Sequence, residues 1–159
     1  MKILCDDPKL RLVWDSVIER VNLKLTKEFG ESFDLLSELS SGLHRTAAHF
    51  AQAVFGEIPD EPSVFGCTSI LTGVSVVEPD QAKGRIEFSA SRLRGLSESA
   101  QKGVIAHELG HAYDMANTGD YFRDRADEEA DEYALEWGFS GEIRQMYIEL
   151  HGSIPSWLT

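Results

Sequence analysis

The chain has 159 residues, enough for one domain with a core of its own, and is 42% hydrophobic and 26% charged with a formal net charge of −12. That acidity argues against a general nucleic-acid or anionic-membrane surface, and Lys and Arg form no dense cluster. There is no internal repeat and no apolar run near the roughly 18 residues of a membrane span, and Asp6 and Asp7 interrupt the start before a signal-peptide core can form, so a cytoplasmic protein is expected.

Cys5 and Cys67 are the only cysteines and lie far apart, which predicts free thiols rather than a disulfide scaffold. From residue 8 to 28, Leu10, Val13, Trp14, Val17, Ile18, Val21 and Leu25 recur at three- and four-residue steps, the period of an amphipathic helix, and Gly30 supplies a stop. Phe33, Leu35, Leu36 and Leu39 suggest a short helix. Residues 43–55, rich in Ala and ending at Gly56, read as another helix. It would carry His44 and His49, which at five residues apart share no face.

After the loop Pro59-Asp60-Glu61-Pro62 the texture becomes β-like. Ser63 to Cys67 and Ile70 to Val77 are short, β-branched and bounded by Gly, Pro and Asp. A turn is expected over Pro79 to Gly84. Arg85 to Ser89 alternates, with Ile86 and Phe88 on one side, as a half-buried or edge strand does. Ser97 is a fitting N-cap for a helix over about 98–116, with Asn117 and Gly119 as its stop. Two further helices are predicted, over about 123–137 before Gly138 and about 141–150 before Gly152. In the last residues Trp157 and Leu158 could dock on the body or on a partner.

The stretch that carries chemistry is Val104 to Tyr113. His107 and His111 are four apart, about 40° from one another on a helix, so both imidazoles leave one face. Glu108 lies about 100° round, inside the arc of Val104, Ile105, Leu109 and Ala112. A carboxylate in an apolar arc is costly unless a partner or a function holds it. Gly110 costs a helix interior about 1 kcal/mol relative to Ala, which is tolerable where another segment must approach closely. The pattern is His-Glu-x-x-His of zinc metallopeptidases: two neutral imidazoles for zinc and a glutamate beside its water.

A catalytic zinc takes three protein ligands and leaves one position open. On the next helix Asp127 and Asp131 fall about 40° apart among Ala130, Ala134 and Leu135, while Glu129, Glu132 and Glu136 face away. The two aspartates are therefore expected to point inward. Asp127 would bind the metal, and Asp131 would hold the far nitrogen of a liganding histidine.

His107-Glu108-Leu109-Gly110-His111 followed by Glu129-Ala130-Asp131 and Ala134 resembles the gluzincin metallopeptidases. The likeness is to small single-domain members, such as CAAX-protease-like catalytic domains and cytosolic peptidases that cleave phage-type repressors. It covers roughly residues 84–137. Counting back from Ala130 and Asp131 puts the family's glutamate ligand at Asp127. Asp thus stands where Glu is expected, so either the helix lies one methylene closer or Glu128 supplies the ligand. In the family an edge strand precedes the active helix and pairs with extended substrate; Ile86, Glu87 and Phe88 occupy that place. SprT-like peptidases share the strand and helix but use a third histidine, for which His151 is the downstream candidate.

The expected fold is an α+β, zincin-like single domain over 1–159. It has a helical part at about 1–58, a core at about 63–138 with a small mixed or antiparallel sheet, and a last helix and tail at 139–159. The expected activity is zinc-dependent endopeptidase cleavage of an intracellular protein or peptide, with Glu108 as general base and Zn2+ as cofactor. Tyr113, Tyr121 and Tyr133 are candidates for stabilising the oxyanion. No nucleic-acid or membrane partner is expected. The alternative is a zinc-containing binding or regulatory module that does not cleave.

Overall fold

The computed structural model describes residues 1–41, 49–56, 72–78, 83–118 and 125–159. Strand β1 (Lys2–Cys5) leads into helix α1 (Pro8–Phe29) and the short helix α2 (Leu35–Ser40). Strands β2 (His49–Gly56), β3 (Thr72–Glu78) and β4 (Lys83–Ser89) follow. Then come α3 (Ala90–Arg94), α4 (Glu98–Thr118), α5 (Ala126–Glu136), α6 (Ser140–His151) and a 3-10 turn at Ser156–Leu158. The mixture of helices and one small sheet is α+β.

Helix α1 is built as its sequence dictates. Asp7 caps it, accepting from the backbone N–H groups of Lys9 and Leu10, with Pro8 in the first turn where no N–H is needed. Gly30 ends it in the left-handed conformation at φ 71°. Its buried residues are the seven periodic ones, Leu10 to Leu25. Trp14 stands edge-on to Phe55 and Phe88, with ring centroids 5.8 and 6.1 Å away, and those two rings stack at 4.5 Å. Phe55 and Phe88 are register partners on β2 and β4, so this cluster locks α1 onto the sheet.

The sheet runs β1-β2-β4-β3. β1 pairs with β2 and β2 with β4 in parallel, and only β3 with β4 is antiparallel. The sheet is therefore mixed, and parallel pairing prevails in it. Residues 49–55, expected to be helical, lie instead in β2 (His49–Gly56). Its alanines are good helix formers, but pairing with β4 along the strand and with β1 from Gln52 to Phe55 overrides that local preference and buries Phe50, Ala53 and Phe55. A register shift between Phe50 and Gln52 puts Phe50 and Ala53 both in the core. The Phe50 ring lies over Gly84, where a Cβ would come within 2.4 Å of it.

β4 is likewise not an edge strand. It is paired on both sides, and Ile86 and Phe88 are 0% exposed. Among the described strands, the outer ones are β1 and β3.

α4 packs against α5 and α6 and lies across α1, β3 and β4. Ser97 Oγ accepts from the Ala100 N–H, capping α4 as expected. Gly152, at φ 74°, ends α6 and turns the chain back. The Cys5 thiol is free and half-buried, donating to the Asp7 carbonyl. Among the described residues no helix is long and apolar enough to cross a membrane. The expected loop at 59–62, the strand at 63–67, the turn at 79–82, and His44, Cys67, Gly119 and Tyr121 lie outside the described residues.

Candidate metal centre

Helix α4 carries His107 and Glu108 into the interior, at 1% and 2% exposure, with His111 at the rim. α5 crosses beside it at backbone distance. A Cβ on Gly110 would meet the Ala130 carbonyl oxygen at 2.4 Å, so only glycine lets the two helices approach this closely. Ala130 lies between Asp127 and Asp131, so that contact sets the height of both carboxylates above the histidines.

Three donor atoms converge. His111 Nε2 lies 3.1 Å from His107 Nε2 and 3.0 Å from Asp127 Oδ1, and His107 Nε2 lies 3.5 Å from the same oxygen. Ligands about 2.0–2.1 Å from a tetrahedral zinc sit about 3.3–3.4 Å from one another. Among the described residues this is the one group of three or more His, Cys, Asp or Glu able to hold an ion.

Asp131 reaches the same histidine from behind. Its Oδ1 is 2.8 Å from His107 Nδ1. An ionised carboxylate only accepts, so Nδ1 carries the proton and Nε2 is left to present a lone pair to an ion. The donor set, two imidazole nitrogens and a carboxylate oxygen with one histidine fixed in tautomer, fits zinc with a position to spare.

Asp127 is not buried as the helical angles suggest. Its side chain is 60% exposed, because it stands in the first turn of α5, at the mouth of the group, while Asp131 one turn on is 0% exposed. Glu128 turns away and pairs through both oxygens with Arg125. Of the two acids weighed for the third ligand, Asp127 is the one beside the histidines.

The charges in this group are strongly coupled. Burial opposes a charged His107, but the carboxylates of Asp127 and Asp131, with Glu108 adding its field, prevail and push its pKa up to about 10 in the metal-free protein. His107 and His111 hold the Asp127 carboxyl far below the usual carboxylate range. A bound cation would take the place of that proton.

Not every expected site residue joins the group. Ile86 and Phe88 are core, and Glu87 pairs with Arg85 at 2.5 Å, so the β4 segment presents no free ladder to a substrate. Tyr113 stands edge-on to Tyr133, with ring centroids 5.1 Å apart, and to Trp137, in an aromatic cluster of their own. His151 is exposed at the end of α6, outside the ligand group.

Two residues escaped the sequence reading. Tyr147 Oη and Trp157 Nε1 both donate to Asp131 Oδ2, at 2.7 and 2.8 Å. Burial, and then the Asp131 charge, push the Tyr147 hydroxyl well above its ordinary range, so it remains a donor. The available signal was chemical: a buried aspartate with one oxygen on a histidine needs donors for the other.

Comparison with known proteins returns no matching family model, no matching curated protein and no matching solved structure.

Proposed function

We propose that this chain is a zinc-dependent endopeptidase acting on an intracellular protein or peptide. The observation that carries the reading is the convergence of His107 Nε2, His111 Nε2 and Asp127 Oδ1 within 3.5 Å of one another, next to the buried Glu108. Zinc, when bound by these three, supplies a Lewis acid that lowers the pKa of water to near 7 and polarises a peptide carbonyl.

The chain's own residues do the rest. Asp131 holds His107 with Nε2 toward the ion. Glu108 accepts the proton of the attacking water and returns it to the leaving amine, a general acid–base role worth about 10²–10⁴-fold. Glu108 is buried, as the residue after His107, and its field reaches both His107 and Tyr147. Extended substrate adds to a sheet at an outer strand. Among the described strands β3 is the outer one beside α4, so the pairing proposed for Ile86 to Phe88 moves one strand outward.

The test is digestion of a peptide library by the zinc-loaded chain, read by mass spectrometry of new termini. Wild type should cleave, chelation should stop it, and Glu108→Gln should retain zinc and lose turnover by about 10²-fold or more. Zinc bound in wild type with no cleavage beyond the Glu108→Gln background would instead identify a non-cleaving zinc module.

A further inference from the structure

The two oxygens of Asp131 have separate tasks. Oδ1 accepts a hydrogen bond from His107 Nδ1 at 2.8 Å. Oδ2 takes the Tyr147 hydroxyl at 2.7 Å and the Trp157 indole N–H at 2.8 Å. The residue is 0% exposed, so these three donors stand where water would.

A carboxylate held at one oxygen can turn about its Cβ–Cγ bond. Held at both, its plane is fixed, and so is the imidazole that leans on it.

The two Oδ2 donors come from far along the chain and are themselves anchored. Gly103 admits α6 against α4, since a Cβ there would meet the Glu142 carbonyl oxygen at 2.2 Å and Met146 Cβ at 2.9 Å. That close approach brings Tyr147, the residue after Met146, over α4, where its ring stands edge-on to His107 at 6.5 Å. Beyond Gly152 the chain folds back. Leu158 is 6% exposed, and its carbonyl accepts from Arg144 at 3.0 Å. Trp157 is thereby presented edge-on to Tyr147, its ring 42% exposed and its N–H turned inward.

We propose that Tyr147 and Trp157 are positioning residues of the metal centre. Through Asp131 Oδ2 they fix the orientation of Asp131, hence the aim of His107 Nε2, and so set the affinity for zinc. The proposal rests on the metal-binding part of the reading above and not on peptide hydrolysis. It makes the segment behind α6 part of the site: the last link to a ligand on α4 runs through an indole fifty residues later in the chain.

The experiment is zinc affinity by competition with a chromogenic chelator, together with thermal melts of the metal-free form. It compares full-length wild type with Tyr147→Phe, Trp157→Phe and Leu158→Ala. Tyr147→Phe keeps its ring and loses only the hydroxyl; Trp157→Phe loses the indole N–H and keeps an aromatic ring, though a smaller one. Each should bind zinc about 3- to 10-fold more weakly, and the double variant should enter the about 10–100-fold range of losing a direct outer partner. Leu158→Ala loosens the anchor that presents the indole. It should lower the melting temperature, weaken zinc no more than Trp157→Phe does, and cost no further zinc affinity when added to Trp157→Phe, because its effect runs through the indole N–H.

Unchanged affinity in the aromatic variants, with wild type binding zinc, overturns the positioning role and leaves the metal centre standing. A further loss of zinc affinity when Leu158→Ala is added to Trp157→Phe assigns the effect to packing and overturns it as well. Wild type that binds no zinc overturns both readings together. Because the Trp157 ring is partly exposed, Trp157→Phe keeps the question answerable even where Tyr147→Phe does not fold.

Discussion

Between α1 and the sheet the interior is filled by large apolar side chains, with Trp14, Phe55 and Phe88 in ring contact. Between α4, α5 and α6 large side chains such as Ile105, Ile143 and Met146 share the interior with small and polar ones: Gly103, Ala106, Gly110 and Ala130 beside His107, Glu108 and Asp131. The first region coheres because apolar surface leaves water. The second brings backbones together so that costly polar groups meet their partners, and its stability is tied to what the site holds. Substitutions in the two regions should therefore fail differently.

The largest effect on stability is expected from Trp14→Ala. It deletes the ring joining α1 to β2 and β4 and should cost about 3–5 kcal/mol in denaturant melts. The fraction that remains folded should bind zinc with wild-type affinity, because no ligand rests on that ring. Weakened zinc binding in the folded fraction would mean that the two regions are not separable.

Gly110→Ala inverts the pattern. One methyl group is added, yet it points at the Ala130 carbonyl from 2.4 Å, and backbone must yield. A cost of about 1–3 kcal/mol is expected from overpacking. Here zinc affinity should fall as well, since any retreat of Ala130 carries Asp127 and Asp131 away from the histidines. A stability loss with unchanged affinity would show that the helix contact does not set the ligand geometry.

These contrasts also explain what was legible in the sequence. Helix α1 could be read because its apolar period and its Gly30 stop are both local. His107, Glu108 and His111 declared themselves by spacing on one helix, and Asp127 and Asp131 by angle on the next. The burial of Asp127 was misjudged because helical angle says which face a residue occupies and not how close it is to the helix end. β2 was missed, and β4 taken for a possible edge, because strand neighbours are set by non-local pairing: Val54 of β2 is opposite Leu4 on one side and Glu87 on the other. Tyr147 and Trp157 belong to the same class. Nothing near them in sequence names Asp131 as their acceptor.

The polar region should also respond to pH in a way the apolar one does not. In the metal-free chain the folded pKa of His107 is raised to about 10, above its ordinary 6.5. A protonated His107 thus stabilises the fold, fully below about pH 6.5, and that contribution is lost as pH rises through about 10. Zinc competes for the same nitrogen and gains as protons become scarce. Melting curves with chelator should therefore fall between pH 7 and 10, and the gap to the zinc-loaded curves should widen. A gap that narrows over that range would mean that zinc and the proton do not share His107.

The smallest effect is the most discriminating within the site. Glu128 and Asp127 are adjacent acids at the start of α5, and their carboxylates face different partners. Glu128 is held below its usual range by Arg125, in an exposed pair that water screens. Glu128→Gln should leave both the melting temperature and the zinc affinity close to wild type. Asp127→Asn keeps nearly the same shape but removes the charge facing both histidines. It should weaken zinc by more than the about 10–100-fold that an outer partner carries. If chelator competition found the larger loss in Glu128→Gln, the third ligand would be the glutamate, and the first turn of α5 would have to rotate to deliver it.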